Sequence, residues 1–157
     1  MHLFSLSTGL ALAAVLMACA APTVDQQRTI SWLDSKTGAS DLDVSGAWES
    51  ANSFLTGGWG NATWVQTGQR VSGTLGINYT IVGKVVGKQL YLIILSGGRV
   101  YYTAILEPTK DGGLSGMAIA KMVADDPEAR TADHTAIELV RPGSAPSKSL
   151  HVQVGVE

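Results

Sequence analysis

Trp64-Val65-Gln66-Thr67-Gly68-Gln69-Arg70-Val71-Ser72-Gly73-Thr74-Leu75 reads as two alternating runs folded about a glycine turn. Successive strand residues face opposite sides, so pairing Gln66 with Val71 sets Trp64 opposite Gly73 and Ala62 opposite Leu75. A large ring facing a glycine is what a narrow interior needs. The next turn, Val86-Gly87-Lys88-Gln89, pairs Val85 with Leu90 and sets Gly83 opposite Leu92. Two turns read independently thus give one inward set: Trp64, Gln66, Val71, Leu75, Tyr79, Ile81, Val85, Leu90, Leu92 and Ile94. The opposite face takes Thr63, Thr67, Ser72, Thr74, Thr80 and Lys84. That agreement decides the fold.

The same alternation predicts eight strands near 45–51, 61–67, 70–77, 79–86, 88–96, 99–107, 113–121 and 134–141. No helix-period segment separates them, which argues against parallel crossovers. The expected fold is all-β, a single antiparallel up-and-down barrel of about eight strands that closes on itself and leaves no edge. Composition agrees. Among 157 residues, 18 are Gly and 45% are hydrophobic, which is too apolar for disorder and too glycine-rich for a helical bundle. Charged residues make up 15% and the net charge is −2, so nothing supplies the cationic stripe a nucleic-acid binder needs.

The first 18 residues read as a signal segment. No charge occurs from Leu3 to Ala18, and the apolar run Leu10–Met17 is shorter than a membrane span. Leu16-Met17-Ala18-Cys19 resembles the lipobox of bacterial lipoproteins. The resemblance implies that Cys19 becomes the acylated first residue of the mature chain. Lipid chains of the palmitate type then tie it to the membrane, and Ala20 in the next position implies the outer membrane, facing the periplasm. As the sole cysteine, Cys19 also excludes an internal disulfide. The expected organisation is a signal peptide over 1–18, a tether and linker over 19–43, the barrel over 44–141 and a flexible tail over 142–157. Within the linker, residues 20–27 read as polar tether, Thr29–Asp34 as an amphipathic patch of about one helical turn that docks on the domain, and Lys36–Asp43 as loop.

Gly46-Ala47-Trp48 on the first strand resembles the Gly-x-Trp opening of lipocalin- and avidin-like barrels. The 64–74 hairpin and Tyr79–Gly87 resemble segments of small bacterial β-sheet lipoproteins of unknown role. These are folding motifs. They imply architecture over 44–141 and carry no ligand residues across.

Chemistry is sparse. Downstream of Cys19 the only histidines are His134 and His151; a Cys/His pair lacks its nucleophile, and no strained serine elbow accompanies His134. Neither a catalytic site, a cofactor nor a metal site is expected. Asp125-Asp126-Pro127-Glu128, with Asp133 and His134 near, is the densest acidic stretch; it lacks the alternating ligands of a calcium loop and reads as a solvated connection. Asn61-Ala62-Thr63 and Asn78-Tyr79-Thr80 match a glycosylation sequon by coincidence.

Two non-enzymatic readings remain. In the first, Trp48, Trp64, Gln66, Tyr79 and Leu92 form a core or a pocket for a small apolar ligand. In the second, the barrel is filled and its outer face binds a protein or forms an oligomer. Val82, Val86, Tyr91, Ile93 and Leu95, with Tyr102 and Leu106 in one register, are apolar on the side that should meet water. Tyr91, Ile93 and Leu95 are the candidate interface, and Ile30, Trp32 and Leu33 are the alternative cover.

Overall fold

The computed structural model describes residues 24–51 and 58–144. The signal segment, Cys19 and the tail from 145 onward lie outside the described residues. Eight antiparallel strands, β1 (Gly46–Ser50), β2 (Ala62–Thr67), β3 (Arg70–Leu75), β4 (Tyr79–Val86), β5 (Gln89–Ser96), β6 (Arg99–Pro108), β7 (Leu114–Ala120) and β8 (His134–Val140), run in sequence order and close into a barrel through β1–β8 pairing. One helix, α1 (Gln26–Asp34), precedes them.

The two decisive hairpins have the expected register. Trp64 faces Gly73, Ala62 faces Leu75, Val85 faces Leu90 and Gly83 faces Leu92. Alternate residues of each strand enter a core of Trp48, Trp64, Val71, Leu75, Ile81, Val85, Leu90, Leu92 and Ile94, completed by Leu106, Leu114, Ile137 and Leu139. Large side chains sit beside small ones. Leu106 pairs with Gly116, and Leu92 lies between Gly83 and Ala104. Burying each aliphatic side chain contributes about 1.5–3 kcal/mol, and this lattice of large against small lets all of them enter one narrow lumen. Packed residues fill it.

Strand β6 departs from simple alternation. Ile94 pairs with Tyr102 but Leu95 pairs with Val100, so the register slips by one residue at Tyr101. The bulge reverses the phase between Val100, which faces out, and Tyr102, which faces in. The outward placement of Tyr102 and Leu106 is therefore corrected. Leu106 is fully buried in the core and Tyr102 packs against it.

The linker is also more ordered than expected. α1 spans nine residues, more than two turns, and Asp25 caps it by accepting from the Arg28 amide at 2.6 Å. Thr29, Trp32 and Leu33 are buried at i, i+3 and i+4. A helix this short is marginal alone, so packing against the barrel holds it. Val24 is buried and its amide donates to the Val100 carbonyl at 3.0 Å, so the polar tether ends before residue 24 instead of running to 27. The polar look of Gln26-Gln27 conceals a capped first turn. Among the described residues no helix is long and apolar enough to cross a membrane.

Candidate functional site

The meander gives the barrel two unlike mouths. At one, the chain from Ser40 to Ser45 folds across the strand ends. Ser40 bridges to Gly87, the Asp41 amide donates to the Gly87 carbonyl at 2.9 Å, and Leu42 and Val44 pack on the core. Gln66 ties this strap down. Its carbonyl oxygen accepts from the Val44 amide at 2.9 Å, and its amide nitrogen donates to Ser40 Oγ at 3.1 Å and to the Leu42 carbonyl at 3.0 Å. Arg141 finishes the closure, its guanidinium 3.7 Å above the Trp48 ring while it donates to the Ser45 carbonyl at 2.7 Å. Hydrogen bonds from the Ser45 amide and hydroxyl, with Arg141 nearby, hold the Asp43 carboxyl below its ordinary range. This mouth is shut.

Among the described residues the other mouth is an open cleft of about 660 Å³, lined by Trp59, Tyr79, Tyr102, Asn61, Ile77 and Thr135. Three rings form its wall: Trp59 lies 5.0 Å from Tyr102, edge to face, and 5.4 Å from Tyr79, with the two tyrosines 6.3 Å apart. The Trp59 indole donates to the Ala136 carbonyl at 2.9 Å. A close backbone crossing sets the ring there. The Gly76 amide donates to the Asn61 carbonyl at 2.7 Å, and Gly76, at φ +61, leaves no room for a Cβ beside the Trp59 carbonyl.

Burial pushes the Tyr79 phenol above its ordinary value of 10.0, and the neighbouring Tyr102 and Tyr101 add to the shift. The folded chain thus holds this proton more tightly than the unfolded one. The associated stability is whole below the ordinary tyrosine range and is lost as pH rises through the raised native value. Unfolding by urea between about pH 9 and pH 11 is expected to show a shallower loss of stability in Tyr79→Phe than in the parent. Parallel curves would exclude the shift.

The residues singled out from sequence divide between these places. Trp48, Trp64 and Leu92 are core, Gln66 belongs to the shut mouth, and Tyr79 alone reaches the open cleft. Sequence pattern had set Tyr102 outside and did not single out Trp59 from the other tryptophans. Tyr91, Ile93 and Leu95 lie beneath α1 in a second apolar cluster with Val24, Trp32, Leu33, Val100 and Val123. Trp32 meets Tyr91 edge to face at 5.9 Å.

The acidic connection serves this same cover. Asp125 accepts from the Trp32 indole at 2.6 Å and pairs with Lys36, and Asp126 pairs with Arg28. The reading of a merely solvated loop is corrected: two of its carboxylates fasten the helix. Asp126 also caps the 3₁₀ turn Pro127–Thr131 that shapes the loop. Among the described residues no three His, Cys, Asp or Glu side chains converge as a metal site. His134 is exposed, with Nδ1 3.1 Å from the Ala132 carbonyl oxygen.

The chain matches no protein-family model, no curated protein and no solved structure.

Proposed function

We propose that the chain is a lipid-anchored, non-enzymatic bacterial envelope protein, held in the outer membrane through acylated Cys19 and facing the periplasm, with its ligand site in the open aromatic mouth. One contrast carries the ligand reading: the lumen is filled by side chains, while Trp59, Tyr79 and Tyr102 wall an open cleft of about 660 Å³. That volume lies in the range of about 300–1,000 Å³ usual for small-molecule sites. Ring faces with Asn61 and Thr135 at the margin suit a small apolar ligand with one polar end. Native mass spectrometry of protein purified without denaturant tests this. A bound mass that is lost in Trp59→Ala is expected, and a chain that carries no ligand, or carries it equally in Trp59→Ala, overturns the site.

The anchor has its own test. Cys19→Ser is expected to move the protein from the membrane fraction to the soluble fraction with the domain still folded. Equal membrane retention would refute lipidation.

A second reading, a filled barrel that binds a protein or another copy through its outer surface, is supported by a groove beside α1 lined by Ile30, Val65 and Val82. Val65 is 63% exposed there. The face of Tyr91, Ile93 and Leu95 is already occupied by α1, so a partner of this kind would use the uncovered strip on β2 and β4.

A further inference from the structure

Resting on the lipid-anchor reading, we propose that the open aromatic mouth sits on the bilayer that holds Cys19, with Ile77 entering the lipid, so that the cleft's ligand class is membrane lipid. The first ground is the position of the N-terminal chain. The Val24 amide is fixed to the Val100 carbonyl at the start of β6, two residues from Tyr102 of the cleft. From there α1 leads towards the shut mouth, where Lys84 donates to the Lys36 carbonyl. Val24, where the described chain begins, therefore lies at the open end.

The second ground is length. Five residue steps separate Val24 from Cys19, and fully extended they reach about 17–18 Å. The eight-residue strands β4 and β5, at about 3.3 Å per residue and the tilt of about 35–45° usual in barrels, set the two mouths roughly 16–20 Å apart, the whole reach of the spacer. To bring the shut mouth to the membrane, the spacer would have to lie stretched along the flank that α1 already covers. At the open end it needs no such extension.

The third ground is what the open end presents. Ile77, at the tip of the β3–β4 turn, is 93% exposed, the most exposed large apolar side chain among the described residues. Its turn, Gly76-Ile77-Asn78, and the neighbouring Gly97-Gly98 turn carry no charge, while exposed Arg99 and the Lys121–Asp133 pair, 3.8 Å apart, mark the rim of the same end. At the shut end the corresponding tips include Lys88, Lys110 and Asp111. An aliphatic tip gains by entering lipid, Trp and Tyr favour the interface just above it, and the rim's Arg99 and Lys121 suit the headgroup level, where long cationic side chains keep their charge in water. Ile77, Trp59, Tyr79 and Tyr102 occupy one end, Ile77 exposed and the three rings half-buried.

The test uses the full processed chain in protein-free vesicles of phosphatidylethanolamine and phosphatidylglycerol, with cysteine placed by Ile77→Cys or Lys110→Cys. With Cys19 acylated through sulfur, the introduced thiol is the only one a water-soluble maleimide can reach. Flotation with the vesicles reports the anchor, and labelling rate reports orientation. The expected result is that position 77 reacts about tenfold more slowly than position 110 in vesicles, the ratio that burying one aliphatic-sized group supports. In the unacylated Cys19→Ser chain, free in buffer without lipid or detergent, the two rates should be equal. Equal rates in floating vesicles overturn the mouth-down arrangement and leave the anchor standing. Slow labelling at 77 that persists in that lipid-free chain means the cover comes from protein and overturns lipid docking. Protein that fails to float, or a parent chain that labels at Cys19, overturns the anchor and the arrangement with it.

Discussion

Trp64→Ala lowers unfolding free energy by about 3–5 kcal/mol, read as a large fall in the urea midpoint with an unchanged slope. Trp64 is 1% exposed, lies 5.9 Å from Trp48 and donates its indole N–H to the Thr74 carbonyl at 3.0 Å. Emptying that site leaves a void in the middle of the lumen and removes the indole hydrogen bond to Thr74. Gly73→Leu is expected to cost at least as much, for a reason the hairpin pairing alone only half supplies. Pairing predicts crowding against the indole. The backbone geometry is stricter, because a Cβ at Gly73 would fall on the Thr63 carbonyl and 2.9 Å from the Trp64 Cα, at a φ of +154. Neither neighbour is a flexible side chain, so even Gly73→Ala should be clearly destabilising. A neutral Gly73→Ala beside a severe Trp64→Ala would refute this strand contact while leaving the core intact.

The barrel was legible because its information is local and repeated. Each hairpin carries a turn that sets register and an alternation that sets the inward face, and successive hairpins share a strand. An error in one would have put Leu90, Leu92 and Ile94 outside and exposed the conflict. Alternation fails wherever register changes without a marker. Nothing in Val100-Tyr101-Tyr102 distinguishes a bulge from regular strand, and that one slip moved Tyr102 from the outer wall to the ligand cleft.

Other parts of the site were hidden by distance along the chain. Arg141 acts on Trp48 from 93 residues away, and Trp59 reaches Tyr102 only because two glycine-bearing segments cross at Gly60 and Gly76. The same holds for Asp125 and Asp126, whose partners Trp32, Lys36 and Arg28 lie at the other end of the folded chain. An acidic loop and a basic, aromatic helix are each unremarkable alone. Their match is visible only once the barrel brings them together.

Ile93→Lys should separate a cover supplied by this chain from one supplied by another. Ile93 is 4% exposed beneath α1, among Trp32, Leu33, Val100 and Val123. A lysine there must either give up its solvation beneath the helix, with Asp34 the carboxylate across the adjoining groove, or expel the helix. Expulsion is the cheaper outcome, so the loss is bounded by the docking free energy of α1. That bound is about 3–5 kcal/mol, from several large side chains returned to water less the entropy the freed helix regains. The full chain with Ile93→Lys is therefore expected to lose hydrogen-exchange protection over residues 26–34, bind more hydrophobic dye and remain a folded barrel. A chain shortened to begin at Asp41 should bind dye to the same degree, because it bares the same face. In that shortened chain Ile93→Lys should cost almost nothing further, since the lysine now meets water. The non-additivity measures the contact. If the two changes instead summed, with no dye binding after removal of 24–40, Ile93 would be covered by something other than α1, and the acidic clamp at Asp125 and Asp126 would have no helix to hold.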